Sequence, residues 1–153
     1  MFEEILGLPA HPLIIHTAVM LVPMLVLASV AFGAVPRLRP FVEWLVVVLA
    51  IAAPAAAFAA RESGEALEER LYSGGLPDNA LGRAVTLHES YATPTMFSAI
   101  GLGVASLLLV YSARRLGRIT TVTLTVLVVV LAAVAGYYIF RAGHTGAEAV
   151  WSH

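Results

Sequence analysis

The stretch ITTVTLTVLVVVLAAVAGYYIFRA, Ile119–Ala142, carries a single charged residue, Arg141. A helix needs about 20 apolar residues, at about 1.5 Å of rise per residue, to cross about 30 Å of hydrocarbon. Three other stretches meet the same requirement, at about residues 13–35, 41–60 and 92–112. The sequence therefore predicts an all-α integral membrane protein, a four-helix up-down bundle that forms one domain over residues 1–153.

The composition of the whole chain agrees with a membrane protein. Hydrophobic residues make up 59% and charged residues 12%, against about 45–50% and about 25% in soluble domains.

The amino-terminal MFEEILG has no basic residue, so we expect the first span to be retained rather than cleaved as a signal peptide. The spans lack the alternation of apolar and polar residues that is typical of a transmembrane barrel. The absence of cysteine excludes disulfides, iron–sulfur ligation and covalently attached haem, and no basic block indicates nucleic acid.

The loops between the spans differ in charge. PRLRP (36–40) and ARRLGR (113–118) contain arginine and no acid, whereas the middle loop, residues 61–91, and the two ends of the chain hold nine of the ten acids. The positive-inside rule places the two arginine loops in the cytoplasm. Both termini and the middle loop are then predicted to lie outside the bacterial inner membrane. Within the middle loop, GEALEERLYS predicts a short surface helix between spans 2 and 3.

The two halves share an order of span, short arginine loop, span and polar outer segment. No sequence repeat is evident, and this order is typical of any up-down bundle.

Four of the five histidines fall at the predicted outer boundary. They are His11, His16, His88 and His144, and they come from three helices, while His153 is the last residue. Taken singly, each has a structural explanation, such as an interfacial ring or a cation near a helix carboxyl end. Four histidines at one membrane face and none at the other favour a shared cofactor or metal site. His11 and His16 lie about 140° apart on a helix, so we do not expect them to bind one ion from the same face.

Haem b is the cofactor that these histidines fit best, because a helical bundle binds it through imidazoles of facing helices. His16 and His88 are the predicted axial pair. His11 and His144 are a second pair, or they orient the first. Arg61, Arg83 and Arg141 are predicted to hold the propionates.

Small residues in two spans could leave a slot for the macrocycle. AIAAPAAAFAA, Ala50–Ala60, lies in the second span and AIGLGVAS, Ala99–Ser106, lies in the third. Close packing of membrane helices explains these small residues equally well.

Two other functions remain open. A zinc, copper or iron ion could be bound by His16, His88 and His144 together with Glu89 or Glu148. Alternatively, the chain is a non-catalytic structural subunit of a membrane complex.

In GHTGAEAVW, Gly143 predicts the end of the fourth span, and Thr145 with Glu148 predicts a capping box that opens a short second helix.

The segment GLPAHPLIIHTAVMLVP, residues 7–23, resembles the start of an uncharacterised bacterial family of predicted four-span membrane proteins with a G-x-P-x-H-P-x-x-x-H signature. AVTLHES before the third span and GHTGAEAVW after the fourth also fit that family. The resemblance implies a four-span domain in which His11, Pro12, His16 and His88 are the characteristic positions. Some relatives are joined to Rieske-type or cytochrome-c-type domains. The resemblance therefore implies membrane electron transfer with redox partner proteins or a respiratory complex, rather than a stand-alone enzyme.

Overall fold

The computed structural model describes residues 4–5 and 8–151 and consists mainly of four long helices. These are α1 (Ala10–Ala34), α2 (Arg39–Leu71), α3 (Ala80–Arg115) and α4 (Arg118–Trp151). Before α1, two short strands, β1 (Glu4–Ile5) and β2 (Leu8–Pro9), pair antiparallel. One turn of 3-10 helix, Pro36–Leu38, joins α1 to α2. Each long helix contains a segment apolar enough to cross a membrane, which confirms the predicted four-span all-α architecture.

The helices form a ring in which neighbours in sequence also pack side by side. Both α1 and α3 pack against α2 and α4, so α1 and α3 lie on one diagonal of the bundle. The centre is filled by apolar side chains that include Phe32, Leu25, Leu102 and Val128. Large apolar side chains also face outward, as expected where lipid replaces water. We call the end where α1 and α3 begin the histidine end, and the opposite end the arginine end.

Small residues bring α2 and α3 close together. A Cβ atom added at Gly103 would lie 2.5 Å from the backbone oxygen of Ala50 and 3.0 Å from Pro54 Cγ. Ala53 and Ala57 are buried in the same core. The small residues of the second and third spans therefore serve close helix packing here, the second of the two explanations considered for them.

The surface helix predicted between spans 2 and 3 is not a separate element. Helix α2 runs without interruption from Arg39 to Leu71, so the charged segment forms its last turns. No proline interrupts this segment, and Arg61 forms an ion pair with Glu65 one turn later, which stabilises a continuous helix.

Helix α3 begins well before its apolar segment. The side-chain oxygen of Asn79 accepts a hydrogen bond from the backbone N–H of Gly82 at 3.0 Å, which is an N-cap. A preceding turn contains Gly75 with a φ of 95°, a left-handed conformation that glycine adopts without strain.

Helix α4 passes through Gly143 without ending, so the predicted break and second helix at the carboxyl end are wrong. The Thr145 hydroxyl donates to the backbone oxygen of Arg141 at 2.9 Å. Because the hydroxyl bonds back to the preceding turn of the same helix, it does not cap a new one.

Candidate functional site

Two histidines meet at the centre of the histidine end. His11 lies in the first turn of α1, and His88 lies on α3. Their ring centroids are 6.4 Å apart with an angle of 70° between the ring planes. Since α1 and α3 lie on one diagonal of the bundle, the two rings approach each other across its axis. Both side chains are half-buried.

Ser63 of α2 fixes the orientation of the His11 ring. His11 Nδ1 lies 3.0 Å from Ser63 Oγ, and Ser63 Oγ donates its one hydrogen to the backbone oxygen of Ala60 at 2.9 Å. The serine oxygen can then only accept from the ring. His11 therefore carries its proton on Nδ1 when neutral, and this N–H donates to Ser63.

Helix α4 holds His88 in a similar way. His88 Nδ1 lies 3.0 Å from the backbone oxygen of Ala142 and 3.3 Å from Thr145 Oγ1. A carbonyl oxygen only accepts hydrogen bonds, so the Nδ1 of a neutral His88 carries the proton as well. Thr145 is buried, at 2% exposure.

Both rings then present Nε2 as an unprotonated nitrogen. The structure gives neither Nε2 a hydrogen bond to a described residue, and every buried side-chain nitrogen or oxygen in the described part of the chain has a partner. The two Nε2 atoms are thus open to a ligand from outside the protein. A neutral imidazole whose Nδ1–H is held by an oxygen is the usual form of a metal-ligating histidine.

A glycine lies against each ring. Gly64 follows Ser63, and Gly146 follows Thr145. A Cβ atom added at Gly64 would lie 3.1 Å from His11 Cε1, and one added at Gly146 would lie 3.0 Å from His88 Cε1. A side chain at either glycine would therefore press on the ring, which would have to shift by a few tenths of an ångström.

The other two histidines of the predicted site lie elsewhere. His16 is exposed, and its Nδ1 donates to the backbone oxygen of Pro12 in its own helix. His144 is exposed beside Glu148, 3.4 Å from its carboxylate. The structure does not bring His16 to His88, the pair expected from the sequence, because five residues turn His16 about 140° away from His11. His153 lies outside the described residues.

Two of the three predicted arginines lie near the histidine end, and each is already bonded to neighbouring side chains. Arg61 pairs with Glu62 at 2.7 Å and donates to Thr93 at 3.1 Å. Arg141 donates to the Tyr91 hydroxyl at 2.9 Å, with its guanidinium carbon 5.0 Å from the centre of the tyrosine ring. Arg83 is exposed near the start of α3, where its side chain makes no hydrogen bond or ion pair with a described residue.

The ion site expected from His16, His88, His144 and a glutamate is not assembled. Within residues 4–5 and 8–151, no three histidine, aspartate or glutamate side chains lie close enough together to hold a metal ion. Two imidazoles alone form the candidate site.

Sequence reasoning missed the residues that orient the rings, namely Ser63, Gly64, Thr145 and Gly146. The available signal was a shared A-x-x-[ST]-G pattern, Ala60–Gly64 in α2 and Ala142–Gly146 in α4. Its meaning depends on which helices are neighbours, and the sequence did not specify this.

A family model described as a predicted membrane protein (DUF2231) matches residues 7–153. No curated protein and no solved structure matches the chain.

Proposed function

This chain belongs to the DUF2231 family of predicted membrane proteins, and we propose that it is a small b-type cytochrome whose haem iron is bound by His11 and His88. It passes electrons near the outer face of the bacterial inner membrane, in contact with redox partner proteins. The site binds a cofactor for electron transfer rather than a substrate for catalysis.

The distance between the two rings is the observation that carries this proposal. A metal ion lies about 2.0–2.1 Å from an imidazole nitrogen, and each nitrogen lies roughly 1.2 Å from its ring centre, so two opposed imidazoles on one ion have centres about 6–6.5 Å apart. The centroids of His11 and His88 are 6.4 Å apart. To bind one metal ion, the two imidazole rings would have to rotate until their Nε2 atoms point at each other, but the distance between the ring centroids would not have to change.

The number of ligands favours haem over a bare ion. A protein-bound zinc ion takes at least three protein ligands, and the described residues supply two at this place. A porphyrin supplies the remaining four nitrogens around iron, so two imidazoles complete its coordination. When bound, the haem supplies one-electron oxidation and reduction.

The surrounding residues have defined tasks in this proposal. The Nδ1–H bonds of His11 and His88 keep each Nε2 available and increase its basicity. Arg141 is the best of the predicted propionate partners, because its bound neighbour is a neutral phenol, that of Tyr91. Arg61 is paired with two carboxylates, Glu62 and Glu65, which reduces its attraction for a third.

The test is a reduced-minus-oxidised absorption spectrum of the purified full-length protein, with and without added haem. We expect the bands of a bis-imidazole haem in the wild-type protein. His11→Ala and His88→Ala should each lose or shift these bands. His16→Ala and His144→Ala are matched controls, since both side chains are exposed, and they should leave the spectrum unchanged.

Three results would contradict the proposal. The wild-type protein could remain colourless after haem is added. It could instead contain stoichiometric copper or zinc by elemental analysis, which would indicate a bare ion. The bands could also disappear in His16→Ala and persist in His11→Ala, which would assign the ligand to the other histidine.

A further inference from the structure

The buried residues of α1 coincide with buried residues of α3 when the two helices are aligned on their histidines, although α3 buries further residues such as Met96 and Ser112. His11 and His88 are separated by the same 77 residues as Ser29 and Ser106. At this constant spacing, buried residues coincide along both helices. The pairs are Ala18 and Thr95, Val22 and Ala99, Leu25 and Leu102, Ala28 and Ala105, and Phe32 and Leu109.

Helices α2 and α4 correspond in the same manner when they are aligned on Ser63 and Thr145. The spacing that separates Ser63 from Thr145 also separates four further pairs of buried residues. The pairs are Val46 and Val128, Ala50 and Ala132, Ala53 and Ala135, and Ala57 and Ile139. Side-chain identities agree at only some of these positions, which is why no repeat is evident from the sequence.

Equivalent residues of the two halves also touch each other. Ser106 Oγ donates to Ser29 Oγ at 2.8 Å, and the His11 and His88 rings lie face to edge. Residues that contact their own equivalents lie on a two-fold axis. Since α1 and α3 lie on one diagonal and α2 and α4 on the other, this axis runs along the bundle.

We infer that the chain is a tandem duplication of one helical hairpin, and that each hairpin holds its histidine in an equivalent seat made of a hydroxyl and a glycine. Ser63 and Gly64 form the seat of His11, and Thr145 and Gly146 form the seat of His88. These four are positioning residues that keep the Nε2 atom of each ring directed to a shared ligand. The effect on iron rests on the proposed function, whereas the seats hold the rings whether or not haem is the ligand.

The two seats differ in one respect that makes them separately testable. His11 Nδ1 lies 3.0 Å from the Ser63 hydroxyl, and the backbone oxygen of Ala60, the counterpart of Ala142, is a second acceptor near the ring. Removal of the hydroxyl therefore removes the acceptor at 3.0 Å and leaves the Ala60 oxygen. His88 Nδ1 also bonds to the backbone oxygen of Ala142, which no side-chain substitution removes. The Ser63 hydroxyl is therefore more important to its ring than the Thr145 hydroxyl is.

The ring tautomers are measured first, by ¹⁵N NMR of histidine-labelled, haem-free protein in detergent. Substitution of His16, His144 and His153 by glutamine leaves the two signals of interest. Both rings should carry the proton on Nδ1. Ser63→Ala should move His11 part of the way toward the Nε2–H form, because the Ala60 backbone oxygen remains as an acceptor. Ser63→Thr should restore the wild-type signal, and Thr145→Val should change His88 less.

The glycines are tested by haem titration of the full-length protein. Gly64→Ala and Gly146→Ala should each weaken haem binding about 10-fold or more, as is typical when support of a ligand is lost. Gly136→Ala is the matched control on α4, because an added Cβ there meets nothing within 4 Å. It should bind haem like the wild-type protein.

The outcomes separate the two proposals. The wild-type protein could bind no haem while both rings carry the proton on Nδ1 and His11 responds to Ser63→Ala as expected. In that case the cytochrome proposal is wrong and the proposed seats are supported. If either ring carries its proton on Nε2 in the wild-type protein, the seats are wrong even if haem binds. A loss of affinity confined to one of the two glycine variants overturns the equivalence of the hairpins.

Discussion

At the scale of single residues, the position of one proton determines what the site can bind. A hydrogen bond from Nδ1 to an oxygen leaves Nε2 as the nitrogen of both His11 and His88 that is available to a ligand. His16 uses its Nδ1 for a bond to its own helix, and no residue of a neighbouring helix in the described part of the chain hydrogen-bonds its ring. The two histidines of the amino-terminal motif therefore differ in environment although the sequence presents them alike.

Arg141 offers a prediction at this scale. If its guanidinium lies near a haem propionate, Arg141→Gln removes a positive charge that favours the reduced haem. We expect the midpoint potential to fall by roughly 40 mV, which corresponds to about 1 kcal/mol for a one-electron couple. Potentiometric titration measures the change. Arg83→Gln is the control, because Arg83 is exposed near the start of α3, and an equal fall in that variant would remove Arg141 from the site.

At the scale of helices, close approach of backbones positions the site. The crossing of α2 and α3 depends on Gly103, and α2 carries Ser63 to the histidine end as one unbroken rod. The segment that was predicted as a separate surface helix thus has a structural role, since a break near Ala60 would detach the His11 seat from the core.

Gly103→Ala tests the importance of this crossing. The added Cβ would lie 2.5 Å from a backbone oxygen of α2, which cannot move aside as a flexible side chain can. We expect a loss of about 1–3 kcal/mol in the free energy of unfolding, the usual effect of overpacking, seen as a lower melting temperature in detergent. Gly136→Ala should leave stability unchanged or slightly higher. A Gly103→Ala protein as stable as wild type would show that the crossing can relax.

At the scale of the whole molecule, two hairpins form one bundle with a different character at each end. The arginine end is held by an ion pair between Arg114 and Glu43 and by Arg39, which donates to the backbone oxygen of Phe32 at the end of α1. The opposite end holds the paired histidines. If the arginine loops face the cytoplasm, as the positive-inside rule predicts, the histidine end and the proposed haem lie on the non-cytoplasmic side.

The orientation can be measured directly because the chain has no cysteine. Ser73→Cys lies in the loop after α2, and Gly117→Cys lies in the loop between α3 and α4; both positions are exposed. We expect a membrane-impermeant maleimide to label the cysteine at position 73 in intact cells and the cysteine at position 117 only after lysis. The reverse pattern would place both termini and the histidine pair in the cytoplasm.

The sequence by itself determined the number of spans and the end of the bundle at which the histidines gather, because span length and periodic position are local properties of the chain. It also identified His11, His88 and Arg141 as residues of interest. Only the tertiary structure decided that His11 rather than His16 meets His88. That choice depends on how α1 is rotated and on which helices are diagonal, and both follow from packing across the core. The hydroxyl–glycine seats became visible for the same reason, since a serine or threonine followed by a glycine has no special meaning until a ring from another helix lies against it.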